Sequence, residues 1–243
     1  MVYCIICEQS SEGWIPHPMR SHRSEFVKAL DAVGSDLSRY MCSKCGCNDR
    51  DRHVWHYMSA AAIPGKISGG SILHLAPETH IERRLRAMAP DTYICGDLFP
   101  KNPTQVKVDC ENMQFASDSF DLIICNHILE HVSRPAQAIS ELARCLKPGG
   151  FLVAQTPYAP CLKRTFEFVD VPSERMRHFF FGQDDHVRLF GSDIVDFFHA
   201  SGLKGNLYPH SSVLPKVDAL EHGCNEKEPF FLFSKEPCPQ FPF

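Results

Sequence analysis

Between residues 71 and 155, short apolar runs alternate with charged, amphipathic stretches, and this alternation limits the possible folds more than any other feature. Ser71-Ile72-Leu73-His74-Leu75-Ala76 is an apolar run, followed by the helical pattern Ile81-Glu82-Arg83-Arg84-Leu85-Arg86. Tyr93-Ile94-Cys95-Gly96-Asp97 and Val106-Lys107-Val108-Asp109 read as two further strands, each closing on an aspartate. Phe120-Asp121-Leu122-Ile123-Ile124-Cys125-Asn126 is almost continuously apolar, as expected of a strand buried on both faces of a parallel sheet. A helix follows, with Ser133 as N-cap, Pro135 in the first turn, and Ile139, Leu142 and Leu146 on one face. Lys147-Pro148-Gly149-Gly150 stops it, and Phe151-Leu152-Val153-Ala154-Gln155 resumes as strand. This order predicts an open α/β fold, a doubly wound and mostly parallel sheet. The 243 residues suffice for such a domain plus a smaller module.

Ligands of doubly wound sheets bind beyond the carboxyl ends of the strands, where strand order reverses. The strand-ending residues here are His74 to Glu78, Asp97, Asp109 and Asn126-His127. A carboxylate such as Asp97 offers two coplanar acceptor oxygens and can take both hydroxyls of a ribose. Asp109 could accept from an exocyclic amine such as that of adenine.

Asp109-Cys110-Glu111-Asn112-Met113-Gln114-Phe115, then Ser119 to Ile124, then Leu129-Glu130-His131-Val132, resembles the class I S-adenosylmethionine-dependent methyltransferases. Leu146-Lys147-Pro148-Gly149-Gly150 is similar to that family's turn before its fifth strand. The resemblance covers about residues 70–205 and implies a Rossmann-like methyltransferase sheet. It also implies that Asp97 and its neighbour Leu98 hold the ribose, that Asp109 and the Cys110 backbone read adenine, and that Asn126 and His127 line the sulfonium side. The first strand departs from the pattern: His74-Leu75-Ala76-Pro77-Glu78 stands where the family has an acidic residue and a glycine-rich loop. Ala76 keeps some close approach, Pro77 removes an amide donor, and Glu78 could pair with the cofactor's amino group. A site that no longer binds is the competing reading of this strand.

Twelve cysteines are many for a chain whose start shows no secretory signal pattern, and they point to metal or chemistry rather than disulfides. Cys4-Ile5-Ile6-Cys7 and Cys42-Ser43-Lys44-Cys45 form two knuckles, which together complete a four-thiolate shell suited to Zn(II). Four free thiols or a redox pair are the alternatives. Such a shell has no open position, so the metal is expected to be structural. Cys47, one residue beyond Cys45, reads as a bystander, and His53 and His56 lie near enough to compete. Cys95, Cys110, Cys125 and Cys145 read as buried filler; Cys161, Cys224 and Cys238 receive no role. The knuckles, the altered first strand and Gly182-Gln183-Asp184-Asp185-His186-Val187-Arg188 together resemble a bacterial subgroup that joins a small zinc module to the catalytic domain. The expected division is a zinc-ribbon-like module over 1–60, with a helix at Glu25 to Leu30, and a cofactor-binding domain over 66–243. An acceptor lid is expected over about 158–191.

Methyl transfer from a sulfonium is an in-line displacement that sometimes needs a base. His186, flanked by Asp184, Asp185 and Arg188, is the first choice of base, and Arg188 could hold an acidic acceptor. His131 is the second. The phenylalanines between Phe166 and Phe198 read either as a lid over the acceptor or as core. Phe230-Phe231-Leu232-Phe233 reads as the last strand, and Pro237 to Phe243 as a surface tail. A net charge of −4 argues against nucleic acid as partner, and no apolar run spans a bilayer. The expectation is a cytoplasmic enzyme acting on a small-molecule, glycan or peptide acceptor. RNA methylation with the zinc module as clamp, and a non-catalytic binding protein, are the rival readings. The sequence leaves the oligomeric state open.

Overall fold

The computed structural model describes residues 1–170 and 172–236; Cys238 and the proline-rich segment after residue 236 lie outside them. Among the described residues the central sheet has seven strands: β1 (Ser71–Leu75), β2 (Thr92–Asp97), β3 (Gln105–Lys107), β4 (Phe120–Ile124), β5 (Leu146–Val153), β6 (Leu203–Tyr208) and β7 (Phe230–Lys235). Their order across the sheet is β6-β7-β5-β4-β1-β2-β3. The pairs from β5 through β3 are parallel, whereas β7 runs antiparallel to both β5 and β6. Strand order therefore reverses between β1 and β4, which places a crevice at their carboxyl ends.

Side chains alternate between two apolar layers, as the two-residue period of a strand requires. Ile72, Leu122, Ile124, Val153 and Leu232 join one cluster. Leu73, Ile123, Leu152 and Phe231 join the other. Helix α2 (Asp49–Ala60) and α3 (Thr79–Arg86) cover the first layer through Trp55, Met58, Ile81 and Leu85. On the second lie α4 (Pro135–Cys145) and α6 (Ile194–Ala200), through Ile139, Leu142 and Phe198. The expected doubly wound sheet is thus present, with helices on both faces.

One helix start differs from expectation. The N-cap of α4 is Arg134, and no side chain of the cap residue closes the turn. Glu111 does so from the loop after β3, accepting from the amides of Ser133 at 2.7 Å and Arg134 at 3.0 Å. A carboxylate there satisfies two amide donors and meets the positive end of the helix.

The N-terminal segment does not stand apart in packing. α1 (Glu25–Ala29) lies against α5 (Glu174–Phe181), where Phe26 meets Phe180 with ring centroids 5.0 Å apart. Phe166, Phe168 and Phe181 belong to the same aromatic group, so these rings form a core between the two segments. Arg52, wholly buried on α2, donates to the carbonyls of Arg39, Cys47 and Gly223, joining the knuckle region to the end of the chain. No described helix is long and apolar enough to cross a membrane.

Candidate functional site

Two non-glycine residues leave the ends of β1 and β4 in the left-handed region, Ala76 at φ 44° and His127 at φ 54°. Each costs on the order of 1–3 kcal/mol and is held by the sheet. The Ala76 amide donates to the Gly96 carbonyl at 2.7 Å, and the His127 amide to the Gln155 carbonyl at 2.7 Å. Ala76 therefore performs the turn for which glycine would be the easier residue.

Below this turn runs a chain of buried hydrogen bonds. The Tyr93 hydroxyl lies 2.7 Å from Nδ1 of His74, and Nε2 of His74 lies 2.5 Å from Oε2 of Glu78. Asn126 donates Nδ2 to Oε1 of Glu78 at 3.1 Å and accepts the Gln155 amide on Oδ1 at 3.0 Å. Burial works to raise the pKa of Glu78, but the bonds from His74 and Asn126 outweigh it and hold the carboxyl below its usual range. Here two expectations need correction. His74 is fully buried and both its nitrogens are engaged, so it positions Glu78 rather than lining the crevice. Asn126 likewise spends its amide on bracing β4 against β5 and Glu78.

Asp97 ends β2, in register with Lys107, and Asp109 follows two residues beyond the end of β3. Each uses Oδ1 to accept the amide two residues on, Phe99 at 2.8 Å and Glu111 at 2.9 Å, which fixes the loop and leaves the second oxygen to a ligand. Leu98 and Phe99 are exposed beside Asp97, and the Cys110 side chain turns inward, its thiol pushed up to about 12 by burial.

Across His127 a second hollow opens, a cavity of about 470 Å³ walled in part by Arg50, His127, His178, Asp184 and His186. Behind its wall sits Glu130, 1% exposed. Thr156 Oγ1 donates to its Oε2 at 2.9 Å, while Oε1 faces His127 Nδ1 at 3.5 Å and His186 Nε2 at 4.0 Å. Burial opposes its charge, yet the neighbouring imidazoles, His127 first, bring its pKa down to about 2. The expected base, His186, is nearly buried, and Nδ1 lies 3.1 Å from the Phe181 carbonyl. Its other nitrogen meets Glu130. The free base expected of His186 is therefore not what the geometry provides. Burial foremost keeps this ring's pKa low, so it stays neutral. Asp185 contacts His131 instead, through its carbonyl at 3.3 Å and its carboxylate at 3.5 Å. Arg188 is spent on the carbonyls of Leu129, Val132 and Ser133 and on Glu167, so it anchors the loop after β4 and does not reach the acceptor cavity.

At the far end of the N-terminal segment five thiols converge. Cys4, Cys42, Cys45 and Cys47 bring their sulfurs within 4.8 Å of one another. Cys7 Sγ lies 3.9 Å from Cys42 Sγ. Cys47 is no bystander, for its sulfur sits 3.4 Å from that of Cys4 and depresses the Cys4 pKa to about 4. The Cys42 amide donates to the Cys47 carbonyl at 2.9 Å, and this tight turn is what folds Cys47 back so soon after Cys45.

Residues 90–154 match the family model described as a methyltransferase domain. The matched stretch carries Asp97, Asp109, Asn126, His127 and Glu130, the loops at the carboxyl ends of β2, β3 and β4. The strand order above is that of a Rossmann-like, doubly wound sheet. A demethylmenaquinone methyltransferase from Clavibacter sepedonicus is 35% identical over 65 residues, a stretch covering 26% of this chain and 26% of that one. The similarity thus spans about a quarter of the relative's length. Among solved structures, an S-adenosylmethionine-dependent methyltransferase from Mesorhizobium loti is 17% identical, with a TM-score of 0.47 over 72% of this chain and 94% of that one. Another, from Thermotoga maritima, is 18% identical, with a TM-score of 0.42 over 75% and 90%.

Glu130 and Gln155 were given no role by sequence reasoning, and Arg50 only one in the clamp of the rival RNA reading, yet all three line or back the site. Glu130 stood in plain view before His131. Arg50 and Gln155 reach the site only through the docking of α2 and the end of β5, and no local pattern marks them.

Proposed function

We propose that the chain is an S-adenosylmethionine-dependent methyltransferase whose acceptor is a small, acidic molecule, with a structural zinc ion in its N-terminal segment. The observation that carries this reading is the juxtaposition of Asp97 and Asp109 on neighbouring strand ends, within the segment that matches the methyltransferase domain. Each has a carboxylate oxygen left over after its own turn, and the donor chemistry fits a ribose and an adenine amine. Asp97 would hold the ribose, Asp109 and the Cys110 backbone the base, and Ala76 and Glu78 the amino-acid part. When bound, S-adenosylmethionine supplies an electrophilic methyl group. His127 borders both this crevice and the cavity, so it stands where donor and acceptor would meet.

A cavity of about 470 Å³ falls within the range of small-molecule sites. Arg50 and Arg23 outnumber the single Asp184 on its wall, which favours an anionic acceptor, a peptide or sugar acid included. The thiol cluster fits zinc by its sulfur donors, with Cys4, Cys42 and Cys45 joined by Cys7 or Cys47. The reading is tested by calorimetric titration of the zinc-loaded protein with S-adenosylmethionine. One saturable site supports it; absence of binding rules it out.

A further inference from the structure

We propose that Glu130, His131 and His186 form a site for a first-row divalent metal cation, bordering the acceptor cavity through His186. Their ligand atoms lie within 4.8 Å of one another. Two imidazoles and one carboxylate are a donor set suited to such ions.

The buried carboxylate carries the argument. Among the described residues no group makes a close hydrogen bond to Oε1 of Glu130; its nearest neighbours are Nδ1 of His127 at 3.5 Å and Nε2 of His186 at 4.0 Å. His186 donates Nδ1–H to the Phe181 carbonyl at 3.1 Å, which leaves Nε2 as the nitrogen turned towards the cluster. That nitrogen faces Oε1 across 4.0 Å. A buried carboxylate oxygen left without a close hydrogen-bond partner is costly, and a cation beside it offsets that cost. Donor atoms held about 2.0–2.2 Å from one tetrahedral ion lie about 3.3–3.6 Å apart, so binding would draw Nε2 and Oε1 together by less than about 1 Å.

The surroundings are those of metal-binding histidines, which ordinarily pass their second N–H to a carbonyl or carboxylate. His186 does so to Phe181, and His131 to the Asp185 carbonyl at 3.3 Å. The His131 ring meets that of His186 edge-on with centroids 4.8 Å apart, and its side chain is 33% exposed, which gives the site an open side. Arg188 fastens the loop bearing Glu130 and His131 to the segment bearing His186, so the three donors are held by one clamp. The coordination positions left open would take a hydroxyl or carboxylate oxygen of the acceptor. This last assignment rests on the methyl-transfer reading; the cation site does not.

Equilibrium dialysis of the full, zinc-loaded chain against Co(II), with metal analysis and visible absorption, tests the site. The expected result is one equivalent of cobalt beyond the zinc, with weak d–d bands and no thiolate charge-transfer band. In His131→Ala, at a partly exposed position that packing tolerates, cobalt binding falls by at least about tenfold, and Glu130→Gln behaves alike. Equal cobalt uptake by wild type and His131→Ala overturns the proposal, as does cobalt that shows only thiolate bands. Binding of S-adenosylmethionine is measured on the same samples. Its loss with cobalt uptake intact counts against the methyl-transfer reading alone.

Discussion

Nε2 of His74 lies 2.5 Å from Oε2 of Glu78, so a fully buried ring in β1 holds the carboxylate that starts α3. This pair replaces a flexible glycine-rich turn with a fixed one: Tyr93 orients the ring, the ring orients Glu78, and Glu78 reaches Asn126 on the next strand. His74→Ala removes the central member and leaves buried polar groups unmatched. The expected cost is about 1–3 kcal/mol of folding stability, read from the urea midpoint of wild type and variant. An unchanged midpoint would show that the chain of bonds does not brace the turn.

Acid should reveal the same pair. Hydrogen bonds from His74 and Asn126, prevailing over burial, lower the folded-state pKa of Glu78. A carboxyl depressed on folding adds stability that is complete above its unfolded value and is lost as pH falls through the folded one. Wild type should therefore lose more stability than Glu78→Gln as pH is lowered from 6 towards about 3. Urea unfolding of both proteins side by side measures the difference, and acid effects elsewhere cancel.

Asp97→Ala should weaken S-adenosylmethionine binding by about 1–3 kcal/mol through loss of charge-assisted hydrogen bonds. Because Asp97 Oδ1 also accepts the Phe99 amide, some of the loss will come from the loop. Asp97→Asn, which keeps an acceptor for that amide, should recover part of the affinity in the same calorimetric assay.

Cys42 belongs to every grouping of the thiol cluster, so Cys42→Ser should release the zinc. Cys4, Cys42 and Cys47 lie in the apolar layer that includes Trp55 and Met58, and the loss should therefore spread to the packing of α2. Metal content by elemental analysis and the cooperativity of thermal unfolding report the two effects. A variant that keeps a full equivalent of zinc would remove Cys42 from the shell.

The sheet was legible because its signal is local: apolar runs of strand length, punctuated by Pro and Gly, with aspartates at their ends. The ordered series around Asp97 and Asp109 was legible for the same reason. What stayed hidden depends on contacts between distant segments. Glu111 caps α4 from another loop, and Cys47 joins the thiols only because the chain doubles back on Cys42. His74 occupies a strand-end position by number, yet the two-residue period turns its side chain inward to Tyr93. His186 met the chemical criteria for a base, but its partner is Glu130, 56 positions away, rather than the neighbouring aspartates. Local composition announces strands and turns; it does not announce which buried carboxylate a histidine will face.

The proposed function requires that the crevice at the ends of β1, β2, β3 and β4 bind S-adenosylmethionine. Equilibrium dialysis of the zinc-loaded chain with labelled S-adenosylmethionine, in competition with S-adenosylhomocysteine, tests it most directly. One site per chain is expected, displaced by S-adenosylhomocysteine and weakened in Asp97→Ala. No saturable binding, or binding indifferent to both the competitor and the substitution, would contradict it.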